Sequence, residues 1–163
     1  MKKSILFFLL LIAASITAQE FNMDLVQDMK PRNIGPAGID VVHSNPDVML
    51  VGTASGGLWK STSGGIKWEP VFDNQVTASI GAVAIQQSNP SVIWVGTGEG
   101  NPRNSLNGGY GIYKSLDGGK TWKSMGLEKT RHIHRVIIDP TDPDIVYVGA
   151  IGSPWGEHPE RGV

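Results

Sequence analysis

Side chains of the kinds that bind sugars and peptides gather in three stretches between predicted strands. Carboxylates, amides and guanidinium groups hydrogen-bond hydroxyls and peptide groups, while Trp stacks on the apolar face of a sugar ring. Polar loop residues are also common as solvated surface, so the fold must decide which of them share one site. The predicted ligand-binding candidates are Glu99, Asn101, Arg103, Arg131, His132, Trp155 and Glu157.

Two further arrangements of residues bear on chemistry, one on metal binding and one on glycosidic cleavage. His132 and His134 stand two residues apart at the start of a predicted strand, a spacing that places both side chains on one side. No third ligand accompanies them with a clear spacing, so we predict no metal site and no cofactor. Glycosidic cleavage needs two carboxylates with separated pKa values. Glu99, Glu157 and Glu160 are available, but no spacing pairs them, and the catalytic residues stay unassigned.

The N-terminus has the pattern of an export signal. A basic start, an apolar stretch over residues 5–14 and small residues before a cut between Ala18 and Gln19 predict a secretory signal peptide over residues 1–18. The apolar stretch is too short to span a bilayer. We therefore expect a secreted or periplasmic protein with no membrane anchor after cleavage.

Composition narrows the class of protein. The formal net charge is −1 and no basic tract occurs, which disfavours nucleic acid as a partner. The chain has no Cys, which excludes a disulfide framework and thiolate metal sites. Its 21 Gly and 10 Pro recur at turn positions, which indicates a turn-rich all-β protein.

Two phrases repeat along the chain. GLWKSTSGGIKW at 57–68 returns as GIYKSLDGGKTW at 111–122. SNPDVMLVGT at 44–53 returns as SNPSVIWVGT at 88–97 and as TDPDIVYVGA at 141–150. Interleaved repeats of this kind indicate an array of one supersecondary unit.

Each unit resolves into four short strands, named A to D in chain order. In the second unit they are predicted at Ile80–Ile85, Val92–Gly96, Ile112–Ser115 and Lys120–Ser124. Val83 and Ile85 show the period-2 alternation of a strand with one face in the core. Four strands per unit at a period of roughly 40–50 residues predict a β-propeller of four-stranded blades.

The repeats also predict the domain limits. After a lead-in at 19–37, blade one covers 38–78, blade two 79–131 and an incomplete blade three 132–163. A ring needs about 4–8 blades, and between two and three are present. We therefore expect a fragment of a longer protein, with the remaining blades C-terminal to Val163.

The turn between strands C and D is the sharpest local feature. The Asp117 carboxylate accepts backbone N–H groups of the turn, the glycines after it permit positive φ, and Trp122 packs over the blade. Ser63 holds the position of Asp117 in the first unit and bonds more weakly. The residues assigned to this structural turn are Ser61, Ser63, Gly64, Gly65 and Trp68 in blade one, and Ser115, Asp117, Gly118, Gly119 and Trp122 in blade two.

Strand parity divides the connections between two faces of the propeller. The A–B and C–D turns share one face, here called the turn face. The B–C and D–A loops share the other, here called the loop face. All seven ligand-binding candidates belong to the loop face, so we expect any binding site there and none at Asp117.

The C–D phrase S-x-D-G-G-x-T-W resembles the Asp-box, or bacterial neuraminidase (BNR) repeat, of sialidases, sortilin-type receptors and xyloglucan-cleaving glycosidases. The longer combination of NPxxxxVGTxxGGLWKSTxxGGxxW, VGTGExNPRNS and TRHIxRxxxDPxxPDxVYV resembles the large secreted sortilin (VPS10)-like repeat proteins of bacteria, often labelled glycosyl hydrolases. The resemblance covers residues 30–163. It implies a β-propeller and leaves the function open.

Two functions follow from the resemblance. The first is a ligand- or protein-binding module of a larger sortilin-like protein, a role that sequence does not separate from that of a scaffold domain. The alternative is part of a carbohydrate-active enzyme, sialidase- or xyloglucanase-like. The resemblance also implies a catalytic Asp in the first-blade phrase RTDVGGAYR of xyloglucan-cleaving relatives. Here Ala54 replaces that Asp, and alanine transfers no proton. Peptide, protein or glycan remains the expected partner.

Overall fold

The computed structural model describes residues 38–101 and 105–163, which form three antiparallel sheets. The first contains, in spatial order, β1 (Gly38–Val41), β2 (Met49–Gly52), β3 (Leu58–Ser61) and β4 (Glu69–Pro70). The second contains β5 (Ile80–Ile85), β6 (Ile93–Thr97), β7 (Ile112–Ser115) and β8 (Lys123–Ser124). The third pairs β9 (Ile133–Ile138) with β10 (Val146–Ala150). The all-β prediction is confirmed, and the sheets are successive propeller blades.

Helical structure is slight. Among residues 38–101 and 105–163, it is limited to one 3₁₀ turn at Glu128–Thr130, between β8 and β9. Within the described ranges, no helix has the length and apolar character needed to cross a bilayer. The signal peptide, the lead-in and Arg103 lie outside the described residues.

In blade two, the predicted bounds of strands A and C match the observed strands residue for residue. Strand A is β5 (Ile80–Ile85) and strand C is β7 (Ile112–Ser115). Strand D is shorter than predicted, because only Lys123 and Ser124 pair with β7. The residues before it are held in the C–D turn, where the Thr121 N–H donates to the Asp117 carboxylate instead of to a neighbouring strand.

The core lies between blades. On one side of β5, Val83 and Ile85 join the cluster shared with blade one. On the other side, Ala82 and Ala84 meet blade three, where Ile133 is fully buried. Strand β5 is therefore buried on both faces, and its small alanines allow blade three to approach closely.

An aromatic cluster joins blades one and two near their outer strands. The ring of Phe72 lies 5.2 Å from that of Tyr113 at 89° and 5.0 Å from that of Trp122 at 78°. Both are edge-to-face contacts, which add to the stabilisation from burial. The Trp122 Nε1–H also donates to the Val71 carbonyl of blade one at 2.6 Å. Trp122 thus joins blades as well as covering its own.

Bulges occur at equivalent positions of β5 and β9. Pairing steps from Ile133↔Ala150 to Arg135↔Gly149, which leaves His134 as the extra residue. A bulge interrupts the period-2 alternation of side chains. The prediction that His132 and His134 face the same side is therefore wrong: His132 is 4% exposed, while His134 lies at the surface.

The third blade shows the start of its strand C. Ala150 and Gly162 form an antiparallel bridge. The hydrogen bond that opens strand C is equivalent in the three blades, with Thr53 N–H donating to Gly57 O at 3.0 Å, Thr97 N–H to Gly111 O at 3.1 Å and Ala150 N–H to Gly162 O at 2.8 Å. The repeat geometry thus extends to the third unit.

Candidate functional site

The C–D turn of blade two uses its polar groups internally. The Ser115 hydroxyl donates to Asp117 Oδ1 at 2.8 Å and accepts the Gly119 N–H at 2.9 Å. The Asp117 carboxylate also accepts the Thr121 N–H at 2.9 Å and the Thr121 hydroxyl at 2.6 Å. Both carboxylate oxygens are engaged within the turn, an arrangement that holds backbone rather than a ligand.

Blade one makes a weaker version of the same turn. Ser61 Oγ accepts the Gly65 N–H at 2.9 Å, and Ser63 Oγ accepts the Lys67 N–H at 2.9 Å. Ser63 therefore replaces one of the bonds of Asp117 but carries no charge. The indole of Trp68 donates to Gly65 O at 2.9 Å. The paired glycines have positive φ in both blades, 63° and 87° at Gly64 and Gly65, and 74° and 93° at Gly118 and Gly119.

The charge in the C–D turn predicts an acid-sensitive contribution to stability. Hydrogen bonds from the Thr121 side chain and backbone lower the pKa of Asp117 from 3.8 to about 2. A folded-state pKa below the unfolded one gives stabilisation that is present above pH 3.8 and is lost as the pH falls through about 2. In urea unfolding at a series of pH values, Asp117→Asn is expected to lose less stability than wild type across this window.

The matched control for this prediction is Asp144→Asn. The Asp144 carboxylate is exposed and accepts no hydrogen bond among the described residues. Its replacement should leave the acid dependence unchanged. Identical pH profiles for wild type and Asp117→Asn would contradict the assigned role of the carboxylate.

On the loop face, Asn107 joins the B–C loops of two blades. Its carbonyl accepts the Glu99 N–H at 2.9 Å and the Ser79 hydroxyl at 3.0 Å. Its side-chain amide donates to the Ser55 hydroxyl in the loop of blade one at 2.6 Å. Sequence patterns did not single out the pair, because the two residues are 52 positions apart. The loops of blades one and two thus form one connected surface.

Beneath this surface lies a buried pair of ionisable residues. Glu99 is 3% exposed and His132 is 4% exposed. Burial lowers the pKa of His132, and the positive charge of Arg131 lowers this pKa further. A hydrogen bond to the Glu99 backbone and the Glu99 charge act in the opposite direction but do not cancel the lowering. His132 is therefore neutral at pH 7. Its Nδ1 is buried and has no hydrogen-bond partner in the described ranges.

Two glycines allow the B–C loop of blade two to lie directly against residues 131–134. A Cβ on Gly98 would overlap the Arg131 carbonyl, and one on Gly100 would overlap the His134 ring. Gly98 also has φ +91°, which side chains rarely adopt. Glu99 is carried between these two glycines, and this close approach brings it beside His132.

The D–A loop that supplies His132 is strained. Arg131 has φ 59° and ψ −41°, and the His132 N–H donates to the Thr130 carbonyl at 2.6 Å. This is a γ-turn with positive φ, the rarer and strained form. Leu127 has φ 63°. Among the described residues, Leu127 and Arg131 alone combine positive φ with a side chain.

The structure brings part of the predicted set together. Glu99 and His132 are adjacent and buried, Arg131 is exposed beside them, and half-buried Asn101 follows Gly100.

The two candidates from the loop after β10 are separate from this group. Trp155 is 70% exposed and Glu157 lies at the surface, and neither has a hydrogen bond or ion pair to the other candidates among the described residues. Arg161 holds their loop through the carbonyls of Ile151 at 2.7 Å, Ser153 at 2.6 Å and Gly156 at 2.8 Å.

Metal ligands do not converge on the loop face. Across residues 38–101 and 105–163, no group of three or more His, Asp or Glu side chains is placed to hold a metal ion. Of the two histidines considered as ligands, one is buried and the other is exposed. Among the described residues, the face offers hydrogen-bond donors and acceptors, which include the exposed side chain of Arg131, and the exposed indole of Trp155.

No protein-family model and no curated protein matches the chain. Solved structures do resemble it. A GH74 enzyme from Niastella koreensis is 26% identical with a TM-score of 0.55, over 69% of this chain and 17% of that one. An ancestral GH74 enzyme is 24% identical with a TM-score of 0.54, over 68% of this chain and 15% of that one.

The chain thus spans about a sixth of the length of these enzymes. The likeness shows that the described blades are a segment of a β-propeller. It fits the glycosyl-hydrolase label carried by the sequence resemblance and does not single out the sortilin-like proteins.

Proposed function

We propose that this chain is a segment of an exported, carbohydrate-active β-propeller protein, and that its loop face binds a polysaccharide. The observation that carries the proposal is the likeness to the GH74 enzyme, at 26% identity over 69% of the chain. Of the two functions expected from sequence, this supports the carbohydrate-active alternative. No observation specifically favours a sortilin-like protein-binding module.

The chemistry of the two faces agrees with this assignment. On the turn face, the Asp117 carboxylate is already engaged by Ser115 and Thr121. On the loop face, Arg131 is exposed and Trp155 is 70% exposed. A guanidinium group donates hydrogen bonds to sugar hydroxyls, and an indole stacks on sugar rings.

We assign no acid–base step to the first-blade position, Ala54. Ala54 lies in the B–C loop of blade one, where the resemblance to xyloglucan-cleaving glycosidases implies a catalytic Asp. Because alanine cannot transfer a proton, any turnover by the whole protein needs carboxylates elsewhere.

A polysaccharide panel tests the proposal on the full-length protein. Binding to xyloglucan, xylan and pectin is measured by calorimetry, and turnover by release of reducing ends. We expect at least one polysaccharide to bind. Trp155→Ala should weaken that binding by roughly twofold to thirteenfold, because a lost ring contact is worth about 0.5–1.5 kcal/mol.

The matched control is Ile66→Ala on the turn face, where the side chain is 91% exposed. It removes a comparable exposed apolar group and should leave affinity unchanged. If no polysaccharide binds and a peptide or protein does, the proposal is wrong and the binding-module alternative replaces it.

A further inference from the structure

The strained turn at Arg131 is held in place from several sides. Its carbonyl accepts the Gly109 N–H, and the next carbonyl, that of His132, accepts the Ile151 N–H at 2.8 Å. The His132 imidazole is buried below the turn, beside Glu99. A glycine would relax the φ of 59°, yet an arginine occupies the position. Strain of this kind persists where the surroundings over-determine it, and it clusters at functional sites.

The Arg131 side chain has no partner of its own among the described residues. It is exposed, takes part in no ion pair and donates no side-chain hydrogen bond there. The nearest acidic neighbour along the chain, Glu128, accepts a hydrogen bond from the Ser124 hydroxyl at 3.1 Å. The turn therefore fixes the backbone that carries a cation whose donors remain available.

The groups around Arg131 suit an anionic sugar. The exposed His134 ring lies against Gly100, and the residue after Gly100, Asn101, is half-buried. Both an imidazole and an amide can form hydrogen bonds with sugar hydroxyls. A guanidinium matches a carboxylate with two parallel hydrogen bonds, a geometry that a neutral hydroxyl cannot reproduce.

We propose that the loop face selects a uronic-acid polysaccharide, with Arg131 binding the sugar carboxylate and with His134 and Asn101 binding adjacent hydroxyls. This inference rests on the proposed function and adds the class of sugar. The net charge of −1 and the absence of a basic tract argue against a denser polyanion such as nucleic acid, which needs several phosphate-binding cations. The Arg131 guanidinium, whose donors have no partner among the described residues, can pair with one sugar carboxylate.

Two polymers that differ only in charge test the inference on the full-length protein. Polygalacturonate is compared with its carboxyl-reduced product by calorimetry. We expect the acidic polymer to bind about tenfold or more tightly, because a hydrogen-bonded charge is worth about 1.5–3 kcal/mol. Added NaCl should weaken only this excess affinity.

Arg131→Gly separates binding from folding. Glycine accepts the positive φ, so the variant should unfold at or above the wild-type temperature. Its affinity for polygalacturonate should fall to that of the reduced polymer, while its affinity for the reduced polymer stays the same. Lys129→Ala is the control, because it removes an exposed positive charge two residues away.

The outcomes distinguish this inference from the proposed function. Equal binding of the two polymers, or equal losses for Arg131→Gly and Lys129→Ala, would overturn the uronate inference and leave polysaccharide binding intact. Binding of neither these polymers nor any member of the polysaccharide panel would overturn both.

Discussion

Phe72→Ala is expected to lower the free energy of unfolding by about 3–5 kcal/mol, the usual cost of truncating a buried aromatic side chain. Phe72 is 2% exposed and packs edge-to-face on Tyr113 and Trp122. These contacts join blade one to blade two, so the cavity would open between blades, whose strands belong to separate sheets. The measurement is urea unfolding of the full-length protein.

Val76→Ala is the control in the same connection, because Val76 is 73% exposed. It should change stability by no more than about 0.5 kcal/mol. A loss below about 1 kcal/mol for Phe72→Ala would mean that the aromatic cluster does not hold the blades together.

Gly98→Ala is expected to destabilise the protein by about 1–3 kcal/mol, or more, and to abolish polysaccharide binding. The added methyl would overlap the Arg131 carbonyl, which belongs to the backbone and cannot rotate away. The residue also has φ +91°. Relief of the overlap requires residues 98–100 to move away from residues 131–134, which would separate Glu99 from His132.

Gly108→Ala is the matched control in the same loop, because a Cβ there would meet no atom within 4 Å. Unfolding and calorimetric binding are measured on both variants. Wild-type binding by Gly98→Ala would show that the close approach of the two loops does not build the site. Equal losses in both variants would show that the loop is merely intolerant of substitution.

The repeat phrases predicted the architecture well because they report local requirements. The apolar run Ile80–Ile85 reflects a strand that is buried on both faces, not on one face as the alternation predicted, and the Gly-Gly pair at 118–119 reflects a turn that needs positive φ. Both are satisfied by residues close in sequence. The predicted strand D is too long because the sequence pattern does not distinguish paired residues from residues held in the turn. Thr121, for example, donates its N–H to Asp117, and only Lys123 and Ser124 pair with β7.

The candidate site was predicted less completely, since its contacts are not local. Sequence placed Glu99, Arg131 and His132 on one face by strand parity, and the structure brings these three together. Nothing in the sequence indicates the γ-turn at Arg131 or the bond between Asn107 and Ser55, because both depend on how two blades pack. The bulge at His134 likewise depends on pairing with β10.

Asp117 has a different role from the one that the chemistry of a carboxylate alone would suggest. Its pKa of about 2 keeps it charged at neutral pH, but its oxygens are engaged by Ser115 and Thr121. The C–D turns therefore build the propeller, whereas the loops opposite them carry the exposed guanidinium and indole. We therefore expect ligand binding at the loops.

The most direct test is amide hydrogen exchange of the full-length protein with and without bound polysaccharide. The account predicts slower exchange in the loop-face segments 53–57, 98–101, 105–111, 127–134 and 151–158, and unchanged exchange in the C–D turns at 61–68 and 115–122. Slowing confined to the C–D turns, or no change in the loop-face segments at saturation, would contradict the assignment of the loop face as the sugar-binding surface.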